Sequence, residues 1–156
     1  LEFSAERAAE LGARRLVPVK MRRCVVKLTA EEGRKKQERL DRIAREAMKQ
    51  CGRADRLEIL EPVGFSEAVA MFREEDMMLM PWEEARGRRI RDEHGSNPGA
   101  RSVGLLIGPE GGIAPEEAMA AEAAGAKSVT LGPRILRAET AAVAAMALVM
   151  QLWGDM

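Results

Sequence analysis

Two short segments of this 156-residue chain concentrate the residue types that bind and orient a small molecule: Gly108-Pro109-Glu110-Gly111-Gly112 and Gly132-Pro133-Arg134-Ile135-Leu136-Arg137. Glycines let a backbone turn sharply and come close to a ligand, so recognition there would run through main-chain N–H and C=O groups. The first segment is neither GxGxxG nor a P-loop, because no Gly-Lys-Ser/Thr follows, and Glu110 at its centre repels a pyrophosphate. A ligand without phosphate and with a positive centre, such as the sulfonium of S-adenosylmethionine, is compatible with an acidic, glycine-rich loop. Taken singly, the first segment is equally a tight turn between a strand and a helix. Two matched loops weigh against that plainer reading. Elsewhere the chemistry is sparse. His94, the only histidine, lies in a polar turn and reads as a solvated loop residue. Cys24 and Cys51 form no CxxC pair and have no chelating cluster, so neither a zinc site nor a disulfide framework is expected, and both read as reduced, buried thiols. No metal site is indicated.

The elements that would hold these loops follow from apolar periodicity. Residues 103–107 form an apolar run into the first loop, and Pro115-Glu116-Glu117 opens a helix with Pro first and acid in its first turn. That helix ends at Gly125, and the pattern repeats as a strand over 127–131, the second loop, and a helix from about residue 138 to 153. Upstream, the spacing predicts a helix over 3–11 ended by Gly12 and a buried strand over 15–19. A long helix follows, opened by a Thr29/Glu32 capping box, with Leu40, Ile43, Ala44, Ala47, Met48 and Cys51 on its apolar face and Gly52 as its stop. Next come a strand over 57–60, a short helix over 66–72, and a strand over 77–80 that stops at Pro81. Residues 93–99 are turn chemistry throughout and predict an exposed loop. Strands alternating with helices imply an α/β fold, a mainly parallel sheet with helices on both faces, in one domain over 1–156. Ligands of such sheets bind at the carboxyl ends of the strands, so the two loops belong to one site.

Composition sets outer limits. At 46% hydrophobic and 32% charged, the chain has apolar material for a sizeable core and charge to cover it. No apolar run reaches the roughly 18 residues that span a bilayer, so a soluble protein without a membrane segment is expected. The formal net charge of zero is unlike a nucleic-acid binder, yet residues 34–53 carry eight basic side chains against three acids. That basic helix face either tracks phosphates or is simply solvated.

The run Leu105-Leu106-Ile107-Gly108-Pro109-Glu110-Gly111-Gly112, followed by Leu131-Gly132-Pro133-Arg134-Ile135-Leu136-Arg137-Ala138-Glu139-Thr140-Ala141, resembles the paired signature of the ribosomal small subunit methyltransferase E family. Those enzymes belong to the SPOUT superfamily and make N3-methyluridine in 16S rRNA. Ala9-Glu10-Leu11-Gly12, Arg23-Cys24-Val25-Val26-Lys27-Leu28, Gln50-Cys51-Gly52-Arg53 and Trp153-Gly154-Asp155 agree as well, so the similarity spans nearly the whole chain. The two C-terminal motifs are specific together; the others would not identify the family alone. The resemblance implies a C-terminal trefoil knot that pinches the loops around bent S-adenosylmethionine, a homodimer, a cytoplasmic location, and 16S rRNA of the small ribosomal subunit as partner. Periodicity predicts no knot, and the rule that chains do not thread their own loops points the other way. The family's N-terminal β-barrel RNA-binding domain is absent from this sequence, so incomplete RNA affinity is expected. Ala114 stands where Ser is common, at a cost of about 1 kcal/mol of helix capping, partly offset by Pro115. Met21-Arg22 replaces a more usual Ser-Glu.

By the same resemblance the cofactor lies against Met80, Pro81, Gly108, Gly112, Leu131, Gly132, Ile135 and Leu136, mostly through main-chain groups. Methyl transfer to uracil N3 needs in-line positioning and loss of the N3 proton. Arg137 is the candidate to contact the uracil carbonyls and stabilise the imidate charge, and Glu110 the candidate proton acceptor. A phosphate contact for Arg137 and a backbone cap for Glu110 remain open, as does Glu139 orienting Arg137. Arg23, Lys27, Arg53 and Arg134 are the candidate RNA contacts. Trp82 either stacks on a base or packs inside. The 138–153 helix, apolar on nearly every side, fits a buried packing or dimer surface. The rival readings are a non-catalytic RNA-binding module that kept the fold, a SPOUT methyltransferase acting on another RNA, and a nucleotide-binding enzyme, for which no phosphate cradle is found.

Overall fold

Met77-Met78-Leu79-Met80 has no polar alternation, which is the mark of a strand covered on both faces. The computed structural model, which describes residues 1–24 and 29–156, places this run at the centre of a sheet. In chain order the elements are α1 (Glu2–Glu10), β1 (Arg15–Leu16), β2 (Val19–Lys20), α2 (Ala30–Cys51), β3 (Glu58–Ile59), β4 (Val63–Gly64), α3 (Phe65–Phe72), β5 (Met77–Pro81), α4 (Ile90–Ser96), β6 (Val103–Leu105), α5 (Pro115–Ala123), β7 (Lys127–Val129) and α6 (Ala138–Trp153). The three-stranded sheet has the order β6-β5-β7, and every strand pair described is parallel.

Side chains alternate across β5 as strand geometry requires. Met78 and Met80 pack with Met21, Leu106, Ile113 and the α5 residues Ala118 and Ala121 on one face. Met77 and Leu79 pack with Ile90 of α4, Val129, and Ala145 and Val149 of α6 on the other. The sheet is therefore covered by helices on both faces, as the alternation of elements predicts. A separate core joins α1 to α2 through Ala5, Ala8, Ala9, Leu40, Ala44 and Met48, with Leu57 and Ile59 beneath.

Prolines explain why the strand predicted over 15–19 is two short pieces. Leu60 N–H donates to Leu16 O at 3.0 Å and Val63 N–H to Pro18 O at 3.0 Å, so the β1/β3 and β2/β4 ladders are one parallel pair interrupted where Pro18 and Pro62 have no N–H to give. β4 itself, two residues long, has no periodicity to announce it.

Three expectations are corrected. Residues 93–96 are not part of an exposed loop, which is confined to 97–99: α4 occupies Ile90–Ser96, Glu93 is buried, and its carboxylate faces the Arg88 guanidinium at 3.1 Å. His94 is not simply solvated, because its ring meets Trp153 edge-on at 4.9 Å between centroids, while Trp153 Nε1 donates to Asn97 O. Packing against α6 outweighs the turn-forming composition. Finally, Cys51 is exposed at the end of α2 and only Cys24 is partly covered; both thiols are free.

The capping box that starts α2 is present. Glu32 N–H donates to Thr29 Oγ1 at 3.3 Å, and the Glu32 carboxylate accepts the Thr29 N–H at 2.8 Å. The backbone N–H of Thr29, and then its hydroxyl, hold the Glu32 carboxyl below its ordinary value of 4.5. A lowered carboxyl pKa contributes stability above the unfolded value and loses it as pH falls through the folded one. In urea unfolding, wild type should exceed Glu32→Gln in stability above pH 4.5, and the gap should close as the pH is lowered below it.

Candidate active site at the carboxyl ends of the strands

The ladders of the central sheet continue past its strands. Leu106 N–H donates to Leu79 O at 2.9 Å, and Trp82 N–H to Val129 O at 3.1 Å. The chain therefore leaves β5, β6 and β7 side by side, at Pro81-Trp82, Ile107-Gly108 and Thr130-Leu131. Both glycine-proline loops start from this edge.

The first loop is closed by Gly112 N–H to Pro109 O at 2.9 Å. Gly112 sits at φ +75°, and a Cβ there would run into the Glu83 carboxylate. At Gly108 a Cβ would lie 2.7 Å from Ile113 Cγ1, and at Gly111 it would lie 3.0 Å from Arg23 Cβ. Gly112 is thus demanded by its positive φ, and Gly108 and Gly111 by close packing against Ile113 and Arg23. The second loop is held by Thr130, whose hydroxyl lies 3.2 Å from both the N–H and the C=O of Gly132.

Residues 21–24 lie against the first loop. Arg22 N–H donates to Glu117 Oε1 at 2.8 Å, Ala114 N–H to Glu117 Oε2 at 3.3 Å, and Arg23 Nη1 to Gly111 O at 3.2 Å. Arg22 also pairs with Glu116. Glu117 is buried and joins three pieces of chain: its own helix, the loop before it, and the segment after β2. Ala114 supplies no hydroxyl to cap α5, and the Glu117 carboxylate accepts the Ala114 N–H in the reciprocal direction.

The structure brings most of the expected cofactor residues together. Met80 is fully buried at the end of β5; Pro81, Gly108, Gly112, Leu131, Gly132 and Leu136 are half-buried along the edge; Ile135 is 87% exposed. Glu110, Arg134 and Arg137 are exposed on the two loops. Arg137 is the residue from which α6 starts, its carbonyl accepting the Ala141 N–H at 2.8 Å. Among the described residues Glu139 makes no ion pair with Arg137. Trp82 packs against the core on the Met80 face, and its indole Nε1 is buried without a hydrogen-bond partner.

The expected RNA contacts divide. Arg23 lies at the site, against the first loop. Arg53 does not: its side chain is only 11% exposed and its guanidinium donates to Ala9 O at 3.0 Å, binding α1 to the turn after α2. Lys27 lies outside the described residues. On α2, Lys35, Arg45 and Lys49 pair with Glu31, Asp41 and Glu46, and Lys36 and Arg39 both reach Glu2 of α1.

Two site residues escape a reading of the sequence. Glu83 stands two residues past β5 and meets the first loop only in three dimensions. Glu117 reads as an ordinary first-turn acid. The clefts between α1 and α2, and at the amino end of β5 beside Asp76, Asn97 and Lys127, lie elsewhere.

Residues 1–150 match the RNA methyltransferase domain family. The chain belongs to that family. It is 30% identical over 153 residues to the ribosomal RNA small subunit methyltransferase E of Bacillus subtilis, covering 96% of this chain and 60% of the relative. It is 36% identical over 152 residues to the protein of the same name from Mycobacterium bovis, covering 95% and 57%. Among solved structures, a Legionella pneumophila methyltransferase in complex with the bound cofactor SAM superposes with a TM-score of 0.91 at 34% identity, covering 99% of this chain and 62% of that one. A ribosomal RNA small subunit methyltransferase E from Neisseria gonorrhoeae bound to S-adenosyl methionine gives 0.85 at 33% identity, covering 97% and 60%. The family resemblance read from the two loops is borne out, and the chain spans about three fifths of these relatives' length.

The buried carboxylate tying this family's first loop to the segment before it should matter for stability. Glu117→Ala leaves two N–H groups without their acceptor and should cost roughly 1–3 kcal/mol. Urea unfolding measures the loss, and faster amide exchange at Arg22 and Ala114 would place it.

Proposed function

We propose that this chain is the catalytic part of an S-adenosylmethionine-dependent methyltransferase that methylates N3 of a uridine in 16S rRNA, in the cytoplasm and as a homodimer with a C-terminal trefoil knot. The observation that carries the reading is the pair of glycine-proline loops leaving adjacent parallel strands at one edge, where such folds bind ligands. Family membership and the bound cofactor named for two similar structures support it.

The residues present fit the cofactor. At Gly132 the space a Cβ would enter is open, which allows close main-chain approach, Trp82 Nε1 is a buried donor without a partner, and Glu83 and Glu110 place carboxylates beside the first loop. Carboxylates beside the first loop suit a sulfonium. Met80, Pro81, Gly108, Gly112, Leu131, Gly132, Ile135 and Leu136 would hold it. When bound, the cofactor supplies an electrophilic methyl carbon. Glu110 accepts the N3 proton of uracil, and Arg137 stabilises the charge that spreads onto the flanking carbonyl oxygens. The start of α6 fixes the Arg137 backbone, so the guanidinium is presented from a rigid point. Arg23 and Arg134 contact phosphates; Arg53, spent on Ala9 O, is left out of this set.

The dimer rests on the exposed apolar side chains Ile135 and Leu148, the latter 40% exposed on α6. Covering Ile135 with a second copy would set that copy against the second loop. Among the described residues no helix is long and apolar enough to cross a membrane.

Methyl transfer from labelled S-adenosylmethionine to unmodified small ribosomal subunits, with nucleoside mapping, tests the reading in the full-length protein. N3-methyluridine is the expected product. Arg137→Ala should lower kcat about 100-fold or more while leaving cofactor affinity unchanged. Transfer to another RNA would move the substrate assignment, and neither transfer nor cofactor binding would leave a non-catalytic RNA-binding module.

A further inference from the structure

From the turn after β5 into the first residues of α4, residues 86–91 read Arg86-Gly87-Arg88-Arg89-Ile90-Arg91, four arginines in six positions. This segment is fixed to the site. Trp82 N–H donates to Val129 O, and Thr130 N–H donates to Arg88 O at 2.8 Å, so the arginine turn continues the β7 ladder where β7 leaves the sheet. The hydroxyl of the same Thr130 holds Gly132, the first residue of the loop that carries Arg134 and Arg137. Ile90 is buried in the core and anchors the other end.

The four guanidinium groups are not equivalent. Arg86 folds back on the carbonyls of Glu83 and Ala85 at 2.9 and 3.2 Å, and Arg88 faces the buried Glu93 carboxylate. Arg89 is exposed and makes no ion pair among the described residues. Arg91 is 69% exposed, and its one carboxylate neighbour, Asp92, is 3.9 Å away. The cations of α2, by contrast, are largely matched by acids on α1 and α2. Arg89 and Arg91 thus keep their guanidinium groups exposed beside the second loop.

We propose that Arg89 and Arg91 form a phosphate-contacting arm on the β7 side of the site, binding the RNA backbone next to the target base. The proposal rests on the methyltransferase reading above. Exposed guanidinium forks on a rigid turn match phosphate oxygens, and phosphate contacts set the position of an RNA without reading its sequence. Continuity with Arg134 and Arg137 makes the partner the same RNA whose base enters the site. The segment also fixes the second loop, so the test must separate charge from scaffold.

In the full-length protein, Arg89→Ala/Arg91→Ala should raise KM for small-subunit rRNA and make the slope of log affinity against log salt shallower by about 1 to 2, since each lost phosphate contact removes close to one counterion. Affinity for S-adenosylmethionine should not change. Arg89→Lys/Arg91→Lys should restore most of the slope, and Arg73→Ala/Lys127→Ala, at the opposite end of the strands, should leave it as in wild type. An unchanged slope in the alanine variant overturns the arm, as does a lowered cofactor affinity that lysine does not rescue. A wild-type protein that transfers no methyl group overturns the parent reading, and the arm with it.

Discussion

The position of β5 is the constraint on which the site depends. It is hydrogen-bonded on one side to β6 and on the other to β7, both later in the chain and both parallel to it. A central parallel strand must be apolar on both faces, and Met77-Met78-Leu79-Met80 meets that demand by splitting its side chains between two cores. Because all three strands run the same way, their carboxyl ends reach one edge, and two loops distant in sequence become neighbours. The close glycine contacts, the Thr130 bracket and the start of α6 refine a proximity that strand order already provides.

Charge is arranged around that edge in two ways. Buried or half-buried ionic groups do structural work: Glu117 gathers two N–H donors, Arg53 holds the end of α1, and Glu93 fixes Arg88. Most cations on α2 are balanced by nearby acids, and exposed pairs of that kind add little stability, near 0–1 kcal/mol each. Their effect is to reduce the free positive charge of the helix. Near the rim, Arg89, Arg134 and Arg137 make no ion pair among the described residues and Arg91 has only Asp92 at 3.9 Å, so an anionic backbone would meet exposed guanidinium groups there.

Local signals were legible wherever the determinant lies within a few residues. The Thr29/Glu32 box, the Gly52 stop, the Pro115 helix start and the two glycine-proline loops all stand where the residue types put them. Elements decided by distant partners were not legible. α4 forms from turn-like residues because Ile90 and Glu93 are buried and His94 meets Trp153, contacts that no short window contains. The split of the first strand pair needs Pro18 and Pro62 to face the same ladder across a long separation. In the site, glycine positions were readable because their backbone demands are local, whereas Glu83 and Glu117 acquire their places only when separate segments meet. Arg53 shows the converse: a basic residue beside a basic helix, yet turned inward to a carbonyl.

The claim beneath the rest is that the glycine-walled edge of the β6-β5-β7 sheet binds S-adenosylmethionine. Calorimetric titration of S-adenosylmethionine and S-adenosylhomocysteine into wild type and Gly132→Trp, whose side chain enters open space, with NAD and ATP as controls, addresses it directly. Selective, saturable binding of the adenosyl ligands by wild type, lost in a Gly132→Trp protein that remains folded, is the predicted result. No binding by folded wild type, or equal binding by the blocked variant, would contradict it.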